Sequence, residues 1–219
     1  MRSKSFVSFK GRAAGIMMIL LPLLMIVAYA LHPNLLSLEV MSQASEMIGN
    51  FHGNPLWKIA HLLMVCAIPL IIGVTLSLAH LIKEKADWLA LIGSTLAIIG
   101  AVVLALDKGA YFLVPSAFDT LGDNVLFALD PGIQAMIDRA GFMAIVWLLP
   151  LISIGLILIA VGLIKAKVVP RWQGILIIIG LVALINPDID IISLVASVFL
   201  LLGLTPIGIG FLSGTYKVE

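Results

Sequence analysis

The chain has 219 residues, 62% of them hydrophobic and only 11% charged, with a net charge of +1. A soluble domain carries roughly 25% charged residues, so a water-facing surface is excluded and the implied solvent is lipid. The near-neutral charge argues against a nucleic-acid partner, which needs a basic face, and a single cysteine, Cys66, excludes an internal disulfide and a Cys-based zinc site.

Each membrane crossing takes about 20 apolar residues. The sequence offers about six such stretches, so the expected fold class is all-α: one transmembrane domain, 1–219, built as a polytopic helix bundle. Arg2, Lys4, Lys10 and Arg12 precede the first helix, 13–31. Its end, Ala28-Tyr29-Ala30, resembles a signal-peptide cleavage site, but the apolar run is longer than a signal core, and a retained helix is expected. In the connection that follows, Val40, Met41, Ala44, Met47, Ile48 and Phe51 recur at helical spacing, with Ser42, Gln43, Ser45, Glu46 and Asn50 opposite them. This predicts an amphipathic helix over about 36–51. It would lie in the outer membrane interface or, alternatively, form a lid over the outer mouth of the bundle. Helices are expected at 57–82 and 88–114. A second long connection, 115–138, holds Asp130-Pro131, a helix-start signal that lets the next helix begin near 131 and enter the membrane at Arg139. The remaining helices are expected at 139–164, 171–185 and 188–212, the last announced by Asn186-Pro187-Asp188.

Orientation follows from Lys and Arg, which favour the cytoplasmic side. Arg2, Lys4, Lys10, Arg12, Lys83, Lys85, Lys165, Lys167, Arg171 and Lys217 fall on one side, and Lys58, Lys108 and Arg139 on the other. Both termini are therefore expected in the cytoplasm, in a bacterial inner membrane.

Polar groups at membrane depth are expensive and mark functional sites by default. His61 sits about four residues inside helix 57–82 and Asp107 about seven residues before the end of helix 88–114, depths of ~6 Å and ~10 Å from the outer side by helical rise. Helix 171–185 is too short to span a hydrocarbon core of ~30 Å, which draws Asn186, Asp188 and Asp190 below the outer surface. These groups predict an outward-facing polar recess, with Lys108 and Arg139 as counter-charges and Tyr111 one helical turn from Asp107. The alternative is that each is satisfied singly: His61 by a backbone carbonyl, Asp188 by its own helix N-terminus.

A divalent metal is a second expectation for this layer, with His32, His52, His61 and Asp107 as candidate ligands, although no His-x-x-x-His or His-Glu-x-x-His spacing is present. Haem is disfavoured, because His61 and His80 share one helix at opposite ends and cannot clamp one iron. No cofactor is otherwise indicated. Phosphate-binding, nucleophile-elbow and dinucleotide fingerprints are missing.

Gly11-Arg12-Ala13-Ala14-Gly15, leading into the first helix, and Pro170-Arg171-Trp172-Gln173-Gly174, leading into the fifth, resemble a family of uncharacterised bacterial six-pass membrane proteins. That resemblance implies a fold and no catalytic residues. The leading functional expectation is a small-ligand or ion binder, sensor-like or transporter-like, more readily a non-enzyme than an enzyme. A structural or accessory subunit, in contact with other membrane subunits or its own copies, is the first alternative. It is suited by the small-residue faces Ser193–Ser197, Gly210–Gly214 and Gly93/Gly100. A metal-dependent enzyme of the outer leaflet is the second.

Overall fold

The computed structural model describes residues 4–82, 85–186 and 188–216, with side chains from residue 9 onward. Arg2, Lys83, Pro187 and Lys217, used above, lie outside the described residues. In chain order the helices are α1 (Lys4–Ala30), α2 (Ala44–Phe51), α3 (Pro55–Ile82), α4 (Asp87–Lys108), α5 (Val114–Phe118), α6 (Asp123–Ala128), α7 (Asp130–Ile137), α8 (Leu151–Lys165), α9 (Arg171–Ala183) and α10 (Asp190–Leu212). A π-turn, Gly109–Leu113, joins α4 to α5, and a 3-10 segment, Gly141–Leu148, precedes α8.

Among the described residues, five segments are long and apolar enough to cross a membrane: Phe9–Ala30, Pro55–Ile82, Asp87–Phe118, Asp130–Lys165 and Asp190–Leu212. Helix α9 is apolar but shorter, 13 residues. The architecture is a ring: α1 packs on α3, α3 on α4, α4 on α8, α8 on α9, α9 on α10, and α10 closes back on α1. Three of these contacts, α1 on α10, α4 on α8 and α9 on α10, bring backbone against backbone. A Cβ added to Gly15 would lie 2.6 Å from the Gly208 carbonyl oxygen, and one on Gly93 2.7 Å from that of Gly155. Inside lipid, where apolar burial does not drive association, such close approach is what holds helices together. Met18, Ala67, Val74, Ala97, Ile159 and Leu181 fill the middle of the ring. The outer faces leave Leu20, Leu62, Ile99, Ile175 and Leu202 exposed. That surface suits hydrocarbon and not water.

One end of the ring carries the basic turns with Lys85, Lys165, Lys167 and Arg171; the other carries α2, α5, α6, α7 and the turn between α9 and α10. Three expectations are corrected at this capped end. The amphipathic helix runs from Ala44 to Phe51, not from about 36. Glu46 Oε2 accepts the Ser42 and Gln43 N–H groups at 2.9 and 3.2 Å. From α7, Gln134 Oε1 accepts the Ala44 N–H at 2.9 Å while its Nε2 donates to the Ser42 carbonyl at 3.1 Å. The helix starts where those groups are satisfied. Its apolar face (Ala44, Met47, Ile48, Phe51) is buried against Trp57, Phe112, Leu126 and Ile133. Protein therefore covers it, and it does not lie apolar-face-down in a lipid interface.

The expected helix 139–164 is interrupted. Helix α7 ends at Ile137, with Arg139 in the left-handed region at φ 54° and Ala140 N–H bonded back to the Ala135 carbonyl at 3.0 Å. This is a Schellman-type stop, at a position where glycine is usual. Gly141, at φ 58°, turns the chain again. Pro150 then has no N–H for the carbonyl four residues earlier, so an α-helix resumes only at Leu151. Asp130 falls in the first turn of α7 and makes no side-chain cap; Asn186 does not cap α10 either, its Oδ1 instead closing the preceding turn by accepting the Ile189 N–H at 2.6 Å.

A charged cluster under the cap as candidate functional site

The π-turn positions the first part of the site. Pro115 cannot donate to the carbonyl at 111, and Val114 N–H reaches back instead to the Gly109 carbonyl, five residues away. Such single π-turns inside α-helices concentrate at functional sites. Immediately before it stand Asp107 and Lys108, paired at 2.9 Å, with side chains 12% and 17% exposed. Within the turn, Tyr111 donates its hydroxyl to the Met136 carbonyl of α7.

Lys108 is the hub. Besides Asp107 it interacts electrostatically with Asp188 in the α9–α10 turn and with Tyr29 at the end of α1. It also acts on His61 of α3. Arg139 donates to Asp188 Oδ2 at 3.3 Å, lies 4.1 Å above the Trp147 ring, and interacts with Tyr111. His32 Nδ1, just beyond α1, lies 2.6 Å from Asp190 Oδ2 at the start of α10, and its ring is 5.3 Å from that of His61. His61 Nδ1 donates to the Trp57 carbonyl at 3.0 Å, leaving Nε2 as its free ring nitrogen. Trp57 and Phe112 flank the His61 ring at 4.1 and 5.9 Å. Asn186 Nδ2 donates to the Ala183 carbonyl and to Ser193 Oγ, each at 2.9 Å.

His61, Asp107, Tyr111, Arg139, Asn186, Asp188 and Asp190 thus all stand at the capped end. Asp107, Tyr111, Arg139, Asp188 and His61 are connected through Lys108 or Arg139, and Asp190 joins through His32. Asn186 holds the turn that carries Asp188. The single-satisfaction alternative is half right: His61 does bond a backbone carbonyl, whereas Asp188 pairs with Arg139. Tyr29, Trp147 and Ser193 also belong to the cluster and were not anticipated. The spacing of Ser193 and Ser197 marks a packing face and not a polar site, and nothing local in the sequence separates Tyr29 from an ordinary interfacial tyrosine.

The candidate metal ligands divide. His32 and His61 are neighbours, but His52 belongs to a separate group on the cap: its Nδ1 meets Asp119 Oδ1 at 2.9 Å, and Nε2 meets Asp123 at 3.6 Å. Gly53 N–H also reaches Asp119 at 2.9 Å, and Lys58 pairs with its other oxygen. Burial alone would raise the pKa of Asp119, but the donors from Lys58, Gly53 and His52 outweigh it and hold the carboxyl below the usual range. Among the described residues no group of three or more His, Cys, Asp or Glu is arranged to hold a metal ion.

Two concave regions lie away from the cluster on outward faces of the ring. One, of about 590 Å³, runs between α3 and α4 past Leu76, His80, Trp88 and Leu91 at the basic end; the other, of about 430 Å³, lies beside Phe9, Arg12 and Ile16. Compared with protein-family models, with curated proteins and with solved structures, the chain finds no match.

Proposed function

We propose that this membrane-embedded helical protein binds a small polar ligand or ion at the charged cluster beneath its cap, in a sensor-like or transporter-like role. In this reading α9 is a sixth, short crossing, the capped end faces outward, and both termini lie in the cytoplasm of a bacterial inner membrane. The observation that carries the reading is the meeting of Asp107, Lys108, Arg139, Asp188 and Asp190 with His32 and His61 at the end of a ring whose buried interior, among the described residues, otherwise holds apolar and uncharged polar side chains. Charges held in such a place are expensive and are kept for a purpose by default.

The accessory-subunit alternative rested on small-residue faces. Gly93 and Gly100 are taken up against α8, Ser193 and Ser197 are buried within the chain, and Gly210 packs on Tyr216, which leaves only Gly214 of these positions open. Binding is therefore preferred to scaffolding. The test is a thermal-shift screen of ions and small metabolites on the purified protein, repeated with Asp107→Asn. At least one ligand should stabilise the wild type. At 100-fold excess over Kd the gain is about 2.7 kcal/mol, and the variant should lose most of it. A variant that responds to every compound as the wild type does would remove the reading.

A further inference from the structure

Arg139 is better prepared for an anion than its present partner requires. Its guanidinium lies over Trp147 at 4.1 Å and beside Tyr111, whose hydroxyl is itself anchored on the Met136 carbonyl. Against this held group, Asp188 offers one oxygen at 3.3 Å, and the Asp188 side chain is 79% exposed while that of Arg139 is 24% exposed. A guanidinium presents five N–H donors in a planar fork that matches carboxylate or phosphate bidentately. The long contact to Asp188 and the hydrogen bond with the Tyr111 hydroxyl leave part of that fork free for a bidentate anion. Both partners also hold left-handed backbone without being glycine, at φ 54° and 60°, a conformation that concentrates at ligand clamps and switch regions.

The surroundings indicate where an anion would come from. Arg139 opens directly into the 3-10 segment, on which Phe142 is 101% and Trp147 66% exposed. That segment packs on α4 and leads into α8, whose ring neighbour α9 stops at Ala183, about 20 Å long against a ~30 Å core. The wall of the ring is therefore low between the 3-10 segment and the α9–α10 turn, and the Arg139–Asp188 pair spans the gap. Exposed aromatic and apolar side chains beside an arginine at a helix end are the surroundings of lipid headgroups.

We propose that Arg139, stacked on Trp147, binds the phosphate of a membrane-lipid headgroup at this side opening, and that Asp188 is a built-in stand-in which the phosphate displaces. This rests on the reading of the capped end as a ligand site and names the ligand's chemistry. Displaced Asp188 remains within the field of Lys108, with which it already interacts, so occupancy of Arg139 is passed to the cluster behind it.

The test uses the purified full chain in non-ionic detergent, titrated calorimetrically with dihexanoyl phosphatidic acid and, separately, with inorganic phosphate. Asp188→Asn keeps a residue type tolerated in left-handed backbone and removes the competing charge. It should bind the short-chain lipid about tenfold more tightly, equivalent to ~1.4 kcal/mol. Arg139→Gln should weaken binding at least as much. As a second measurement that does not depend on the Asp188 variant folding, fluorescence in bilayers is compared between the wild type and Trp147→Phe. The quenching due to Trp147 should be stronger with brominated phosphatidylglycerol than with brominated phosphatidylcholine, and Arg139→Gln should remove the preference. Inorganic phosphate binding as tightly as the lipid, and dependent on Arg139, would keep the phosphate site and overturn the lipid as its source. Wild-type affinity in Arg139→Gln, no gain in Asp188→Asn, or no headgroup preference in quenching would overturn the inference. If Asp107→Asn still alters the ligand screen in that case, only this inference falls; if it does not, the reading beneath it falls too.

Discussion

Arg139 shows how backbone and side chain can oppose each other at one residue. Left-handed backbone costs a non-glycine residue roughly 1–2 kcal/mol, and position 139 is where a helix stop would ordinarily place glycine. Part of the cost is offset because a cation suits the C-terminal end of α7, as it does for Lys167, at φ 55° after α8. The rest is maintained by the Trp147 stack and the Asp188 pair, contacts worth about 0.5–1 kcal/mol each at exposed sites. Arg139→Gly should therefore leave stability within about 1 kcal/mol of the wild type while abolishing phosphate-dependent lipid binding. Thermal unfolding alongside the lipid titration checks both halves, and a variant that both unfolds early and still binds would contradict the argument. The sequence marked Arg139 as a counter-charge at the right depth. It did not show which carboxylate it meets, because Asp188 is 49 residues away and the pairing depends on the ring closing.

At the scale of elements, apolar length and Lys/Arg placement located the long helices, while the interruptions were not legible. Residues 139–148 read as the start of a uniform apolar run, because hydropathy does not register a left-handed Arg139, and proline is more frequent in membrane helices than in soluble ones, so Pro150 does not by itself mark a break. The π-turn is similarly silent apart from Pro115. The cap was half legible: the spacing of Met47, Ile48 and Phe51 gave a helix, but only the structure supplies Ile133 and Leu126 to cover it. Asp119 ties that cap down, accepting from His52, Gly53 and Lys58. Its carboxyl is held below the usual range, so its stabilisation is fully present above the unfolded value of about 3.9. It is lost as pH falls through the depressed folded value. Trp57, 3% exposed beneath the cap, should accordingly shift its emission to the red only below about pH 4. In Asp119→Asn the cap should be looser already at neutral pH, by about 1.5–3 kcal/mol for hydrogen bonds to a charged group. A Trp57 signal unchanged from pH 7 to 3, in a protein still folded by circular dichroism, would show that Asp119 does not fasten the cap.

At the scale of the molecule, the ring gives the cluster its place. Neighbouring helices run antiparallel, so α1, α4 and α9 arrive at the capped end and α3, α8 and α10 leave from it. Asp107, His32, His61 and Asp190 are gathered there because they stand at the same ends of alternating passes. Depth in a membrane is a one-dimensional coordinate that a sequence carries, which is why the layer was legible; order around the ring is a second coordinate, fixed by close contacts such as Gly15 on Gly208, and it was not. The same alternation makes the proposed orientation testable. If α9 crosses, six passes return the C-terminus to the side of the N-terminus; if it only dips into the bilayer, α10 begins on the basic side and the C-terminus emerges opposite. With six crossings, a periplasm-active phosphatase fused after Glu219 should be inactive, and a cytoplasm-active fluorescent protein at the same point bright. The phosphatase inserted at Leu121–Gly122, between α5 and α6, should be active. An active C-terminal phosphatase would refute the sixth crossing and leave Asp188 and Asp190 at the wrong surface for the cluster that the ring assembles.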